Sequence, residues 1–425
     1  MTVTSTRICI FCGATPENKN LEHPLPQWLL TMTGDPNRVV LHGMNWRTDK
    51  PIRFAFDQFR FPSCTHCNSG WSDREGVMKG IVERLCRREA LLPNEYVLLL
   101  DWLDKVRVGL WLGHWYHQKT PITPNFTIDT RVGTKDRMVA VYPVGNHQVG
   151  LNAIAVETPL FQHTPSVFGL RINGILLLNA SWDWMCSARC GYPFPRRLEL
   201  NADSRMLHVA NFERRSRHVH PIRKGLMKPC VLLFQPAMRQ VAVGQPWGYS
   251  LEDVQHCEST RWPQQEHVGP LFRQYLDRTE KIRPEETPIE FDSITGGECR
   301  LVRDLQLQAY SLQRQSIEHL RYVGSPDAVA RLERDRKADI HYNKVWIKKV
   351  KSVTREEVDA LLRREGKGNY IGLRIDRHKP SDRLERQQTK PFLTTLLKTN
   401  LIKGKTHKQA LNQSRGPGTK RNKQP

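Results

Sequence analysis

Two cysteine pairs, Cys9-Ile10-Phe11-Cys12 and Cys64-Thr65-His66-Cys67, are the residues of this chain with the clearest chemistry. Each Cys-x-x-Cys pair offers two thiolates on one tight turn, and two such pairs complete a closed tetrahedral zinc site. Between them runs Glu22-His23-Pro24-Leu25-Pro26, and Asn68 directly follows the last cysteine. Zinc needs none of these polar side chains. The carboxylate of Glu22 and the amide oxygen of Asn68 are hard donors of the kind that Mg²⁺ or Mn²⁺ takes. The imidazole of His23 is suited to accept a proton near neutral pH. Thiolates are too soft to compete for a hard ion, so a structural zinc and a catalytic divalent metal can coexist. The pattern therefore reads as a structural zinc site that positions a separate catalytic site.

The succession Cys-x-x-Cys, Glu-His-x-x-Pro-x-Trp-Leu (Glu22, His23, Pro26, Trp28, Leu29) and Cys-x-x-Cys-Asn resembles the HNH endonuclease family. The resemblance is confined to the N-terminal part of the chain. It implies a ββα-metal core in its zinc-carrying treble-clef form, with Cys9, Cys12, Cys64 and Cys67 as zinc ligands. It further implies His23 as general base and Glu22 and Asn68 as ligands of a catalytic Mg²⁺ or Mn²⁺. The implied substrate is nucleic acid, DNA ahead of RNA. Three departures stand out: Glu22 is one methylene longer than the aspartate often found there, Pro24 follows His23 where a β-branched residue is common, and only Asn45, by position, answers to the family's middle asparagine. A different reading of the same residues is a treble-clef zinc protein that binds nucleic acid without cutting it.

The elements that must carry these residues follow from periodicity. A short helix is expected near Gln27–Thr31, an irregular loop over Asp35–Lys50, and a strand over Arg53–Phe61 that ends at Pro62. Asn68 or Ser69 is expected to cap the next helix, with Asp73 and Glu75 toward its positive end. Its apolar stripe would be Val77, Ile81, Leu85 and a buried Cys86. Asn94–His117 reads as a helix apolar on most sides, hence buried, with His114 and His117 structural. Between 120 and 265 short β-like runs dominate: Met138–Val144, Val167–Ile172, Ile175–Leu178, Met206–Phe212 and Val231–Phe234. Asn173-Gly174, flanked by apolar runs, marks a hairpin. Cys186 and Cys190, with His208, His218 and His220, permit a second metal site to be drawn, but an unmatched pair with a three-residue gap reads better as buried or incidental cysteine. Further on, Leu301 to Leu320 reads as a helix stopping at Gly324, and Thr354-Arg355-Glu356-Glu357 as a capping box.

The whole is expected to be α+β: a zinc-carrying domain (1–92), a buried linking helix (93–119), a β-rich accessory domain (120–265), a mainly helical region (266–402) and a disordered basic tail (403–425). A net charge of +22 over 425 residues points to a polyanionic partner, nucleic acid before a membrane surface. After Glu385 no acidic residue occurs, and ten lysines and arginines follow, a composition suited to phosphate contacts. No apolar run precedes Cys9 and no uncharged window is long enough to span a bilayer, so a cytoplasmic location is expected.

Overall fold

In the computed structural model the described residues are 8–18, 20–44, 51–55, 59–118, 127–143, 149–156, 166–192, 194–204, 207–213, 229–237, 270–275, 278–282, 287–292, 320–352 and 370–376, with single positions between 307 and 318. Asn45, His218, His220, the Thr354 capping box and the tail over 403–425 lie outside them, as do the side chains of His114, His117 and His208. The architecture mixes helix and sheet. Among the described residues no helix is long and apolar enough to cross a membrane.

The N-terminal part contains a two-stranded antiparallel pair, β1 (Leu21–Glu22) with β4 (Phe61–Pro62), in which Glu22 lies opposite Phe61. Helix α1 (Gln27–Met32) follows β1, where the 3.6-residue spacing of Trp28 and Leu29 to Met32 turns an apolar side inward. The stretch expected to be an irregular loop instead holds β2 (Val39–Met44), paired antiparallel with β3 (Pro51–Ala55). Nor is the run from Arg53 to Phe61 one strand: β3 and β4 belong to different sheets. Phe54, Phe56, Phe59 and Phe61 recur through the run with no Gly or Pro between them to mark where the chain changes sheet, which accounts for the difference.

Helix α2 (Thr65–Cys86) begins one residue after its N-cap, Cys64. Asn68 therefore lies within the first turn and is not the cap. Its backbone N–H donates to Cys64 O at 3.0 Å. The buried stripe is Trp71, Met78, Ile81, Val82 and Leu85, while Val77 is exposed. Helix α3 (Pro93–Gln118) follows, pinned to α2 by Arg84 Nη1 against Glu95 Oε1 at 2.5 Å. Its apolar circumference is buried as expected, from Tyr96 to Trp111.

Among the described residues ten strands, eight of them after α3, form one sheet in the order β13-β12-β11-β5-β8-β7-β6-β15-β2-β3. Its members are β5 (Asp136–Pro143), β6 (Leu151–Val156), β7 (Ser166–Ile172), β8 (Ile175–Trp182), β11 (Val231–Gln235), β12 (Leu271–Gln274), β13 (Thr279–Ile282) and β15 (Tyr370–Asp376), besides β2 and β3. The expected hairpin is β7–β8, where Asn173 takes φ +48°. The Asn173 side chain also accepts from Gly150 N and donates to Met32 O, tying the turn to α1. The sheet thus reaches beyond 120–265 at both ends, because β2, β3, β12, β13 and β15 all join it. A smaller sheet, β10-β9-β14 (Leu207–Glu213, Phe194–Asn201, Arg321–Val323), supports helix α4 (Pro326–Lys351) through Leu200, Leu320, Ala328 and Leu332.

Where α3 meets the large sheet, four charged side chains are buried together. Arg137 lies 2.7 Å from Asp101 and 3.0 Å from Asp104, and Arg107 lies 2.6 Å from Asp104. Asn179 on β8 and Gln235 on β11 accept from Arg107 and Arg137. Two carboxylates balance two guanidiniums, and the polar strand residues satisfy remaining donors, which is what lets charge persist in a core. Burial works to raise Asp104, but Arg107 and Arg137 hold its carboxyl below the usual range.

Candidate metal centre and the residues beside it

Cys9-Ile10-Phe11-Cys12-Gly13 folds into a knuckle because Gly13 adopts φ +81° and donates to Cys9 O at 2.9 Å. The knuckle is pinned from three sides. Ile10 N donates to Pro62 O, Ile128 N to Ile10 O, and Asp129 N to Phe11 O. Pro62 O brings the knuckle to the end of β4, two residues before Cys64. The sulfurs of Cys9, Cys12, Cys64 and Cys67 all lie within 4.8 Å of one another, a set able to hold a structural metal such as zinc. Cys12 Sγ and Cys64 Sγ are 3.7 Å apart. Two thiolates on a tetrahedral zinc at about 2.3 Å would stand roughly 3.8 Å apart. Burial works against the Cys9 thiolate, but backbone N–H groups of Cys12, Cys64 and Phe11 outweigh it and lower the thiol. Burial and crowding by the other thiols push Cys64 up to about 12 and raise Cys67 as well. His66, between the paired cysteines, is exposed on α2.

Glu22, His23 and Asn68 lie beside this cluster. Asn68 Nδ2 donates to Asn20 Oδ1 at 3.2 Å, and Ser63 N donates to Asn20 O. Asn20 and Glu22 are two residues apart on an extended segment and so share a side of it. The first turn of α2 is thereby joined to the Glu22 strand through Asn20. Glu22 is buried, and its Oε1 lies 2.5 Å from Nζ of Lys105, which is wholly enclosed. Lys105 also contacts Glu75 and lies 3.4 Å from His23 O. The ammonium stands 5.9 Å from the ring centres of both Phe11 and Trp71, where the aromatic faces favour a cation. Burial raises the carboxyl of Glu75, with Lys105 opposing and Glu22 adding to the rise. His23 is half-buried with its Nδ1 enclosed.

The sequence does not mark Asn20 and Lys105 as site residues, and it marks Glu75 only as favouring the helix N-terminus. Lys105 lies in a helix that reads as apolar on most sides, and nothing local in the sequence brings it to Glu22. A lysine inside an apolar helix was the available signal, since an enclosed ammonium requires carboxylate partners.

Carboxylate and amide oxygens are the donor types a hard divalent ion takes, but here an ammonium already stands against both carboxylates. Two carboxylates face one ammonium, and the Asn68–Asn20 bond uses the amide nitrogen of Asn68, leaving its oxygen as a donor. Elsewhere, Cys186 is buried and Cys190 half-buried beside it, both as free thiols. Among the described residues the N-terminal four-cysteine cluster is the one group identified as able to hold a metal. Compared with the sequence patterns of known families, with curated proteins and with solved structures, the chain matches none.

Proposed function

We propose that this protein is a zinc-carrying HNH-type endonuclease that hydrolyses phosphodiester bonds in nucleic acid, DNA ahead of RNA. The observation that carries the reading is the junction of Asn68 with the Glu22–His23 segment through Asn20, next to a four-cysteine cluster. The order β1, β4, α2 is compatible with a treble-clef ββα core, in which zinc on Cys9, Cys12, Cys64 and Cys67 fixes the knuckle to the helix start. His23 is the general base. Glu22 and Asn68 would hold a catalytic Mg²⁺ or Mn²⁺, which when bound supplies charge neutralisation at the phosphate and the leaving oxygen. Lys105 is a positioning residue. Enclosed and in contact with Glu22, Glu75 and His23 O, it orders the strand without reaching substrate.

The second reading, a zinc module that binds nucleic acid without cutting, is favoured by one observation: an oxygen of Glu22 already has Lys105 as its cation. A plasmid-cleavage assay separates the two. Wild type should cut with Mg²⁺ or Mn²⁺ and not with EDTA. His23→Ala should lose about 10²–10⁴-fold in rate, the usual worth of a positioned base, while nucleic-acid affinity stays nearly unchanged. Cleavage that survives in His23→Ala removes His23 as the base. Absence of cleavage by metal-loaded wild type on DNA and RNA, single- and double-stranded, favours the binding module.

A further inference from the structure

Helix α4 offers a surface that the N-terminal chemistry does not use. Its first turns are fastened to the smaller sheet: Ala328 and Leu332 are buried against Leu200 and Leu320, and Arg336 donates to Leu320 O. Ser325, just before the helix, bonds through its N–H and its hydroxyl to Asp203. From Arg334 onward, Lys337, His341, Lys344, Lys348 and Lys351 follow at spacings of three and four, and all six are exposed. At 3.6 residues per turn these positions fall within about 100° of the helix circumference and extend over roughly 26 Å. Among the described residues none of the six forms an ion pair. The neighbouring carboxylate, Glu333, is engaged by Arg336 at 2.8 Å, and Asp335 and Asp339 do not share this register.

The structure assigns to this stripe the role of a docking surface for the phosphate backbone of duplex nucleic acid. The assignment rests on the reading of the protein as one that acts on nucleic acid. Five lysine and arginine side chains that form no ion pair among the described residues, spread over that length, match the evenly spaced charge of a duplex and need no base contacts to bind. A membrane fits less well. An interfacial helix buries an apolar side in lipid, whereas Ala328 and Leu332 here are buried in the protein and Asn343 is buried as well.

The test uses the full chain and a random-sequence duplex titrated over a range of salt. Replacing Lys337, Lys344 and Lys348 together by Gln should lower the log–log salt slope by about 3, at roughly 0.9 per phosphate contact. A charge-matched control, Lys79→Gln with Arg87→Gln and Arg278→Gln, removes the same number of exposed cations elsewhere and should change the slope by much less. Circular dichroism and melting temperature confirm that both variants fold. Equal effects from the two triples would overturn the assignment, because net charge alone would then explain binding. An unchanged slope in the Lys337 triple, with wild type binding and cutting, would overturn it while leaving the nuclease reading intact. If wild type binds no DNA or RNA, the nuclease reading fails together with this one. Binding of acidic-lipid vesicles or polyglutamate that the triple abolishes would then assign the stripe to another polyanion.

Discussion

Without the ammonium of Lys105, Glu22 and Glu75 would confront each other in an enclosed space with no cation between them. Breaking a buried ion pair on one side typically costs about 3–5 kcal/mol, because the remaining charge is stranded. Lys105→Met should therefore lower unfolding free energy by that order in chemical denaturation. Adding Glu22→Gln and Glu75→Gln should return much of the loss, since the stranded charges are gone. If the pocket accepts a hard cation, Mn²⁺ should raise the melting temperature of Lys105→Met more than that of wild type. Equal Mn²⁺ responses would mean that the two carboxylates do not take the ion. At this scale the sequence was legible where chemistry is local: cysteine spacing alone named the four sulfurs that converge. It was not legible for Lys105 and Glu75, whose meaning depends on two helices and a strand meeting, nor for Asn68, whose amide turns to Asn20 and not to the helix end.

The seam between α3 and the N-terminal strands depends on the absence of two side chains. A Cβ on Gly113 would stand 2.5 Å from a ring carbon of Phe61 and 3.0 Å from one of Phe59, both rings buried. A Cβ on Gly109 would meet Pro24 at 3.1 Å, immediately beside His23. The helix therefore presses against the strand that pairs with Glu22 and against the residue after the candidate base. Gly113→Ala should cost about 1–3 kcal/mol, the usual range for overpacking. The measurement is a denaturation midpoint, with cleavage by the folded fraction as a second readout. A midpoint equal to or above wild type would show that the seam can open without loss. Helix α3 was readable from its apolar circumference, but the purpose of its glycines was not. A glycine inside a helix registers as a weakness in propensity, and only the neighbouring rings reveal it as clearance.

For the molecule as a whole, the knuckle is a tie point between distant segments. Its carbonyls take the N–H groups of Ile128 and Asp129, and its sulfurs stand with those at the start of α2. If the cluster holds zinc as proposed, elemental analysis should find one per chain. Chelation should then lower the melting temperature and change tryptophan fluorescence, because Trp71 stacks on Phe11 within the knuckle at 6.0 Å. Zinc removal with no change in melting temperature would show that the hydrogen bonds alone hold this unit.

Strand β15 carries a consequence of another kind. It pairs in parallel with β6 on one side and with β2 on the other, joining strands from the early and middle chain. A ribosome adding about 5–20 residues per second releases β2 and β6 on the order of tens of seconds before β15. Through that interval both strands have unmatched edges, and such edges invite pairing with whatever strand is near, including each other's or a neighbouring chain's. Completion of the sheet is thus a late event of biosynthesis, and a chain stalled or clipped before Tyr370 would leave β2 and β6 as the two adhesive edges of an unfinished product.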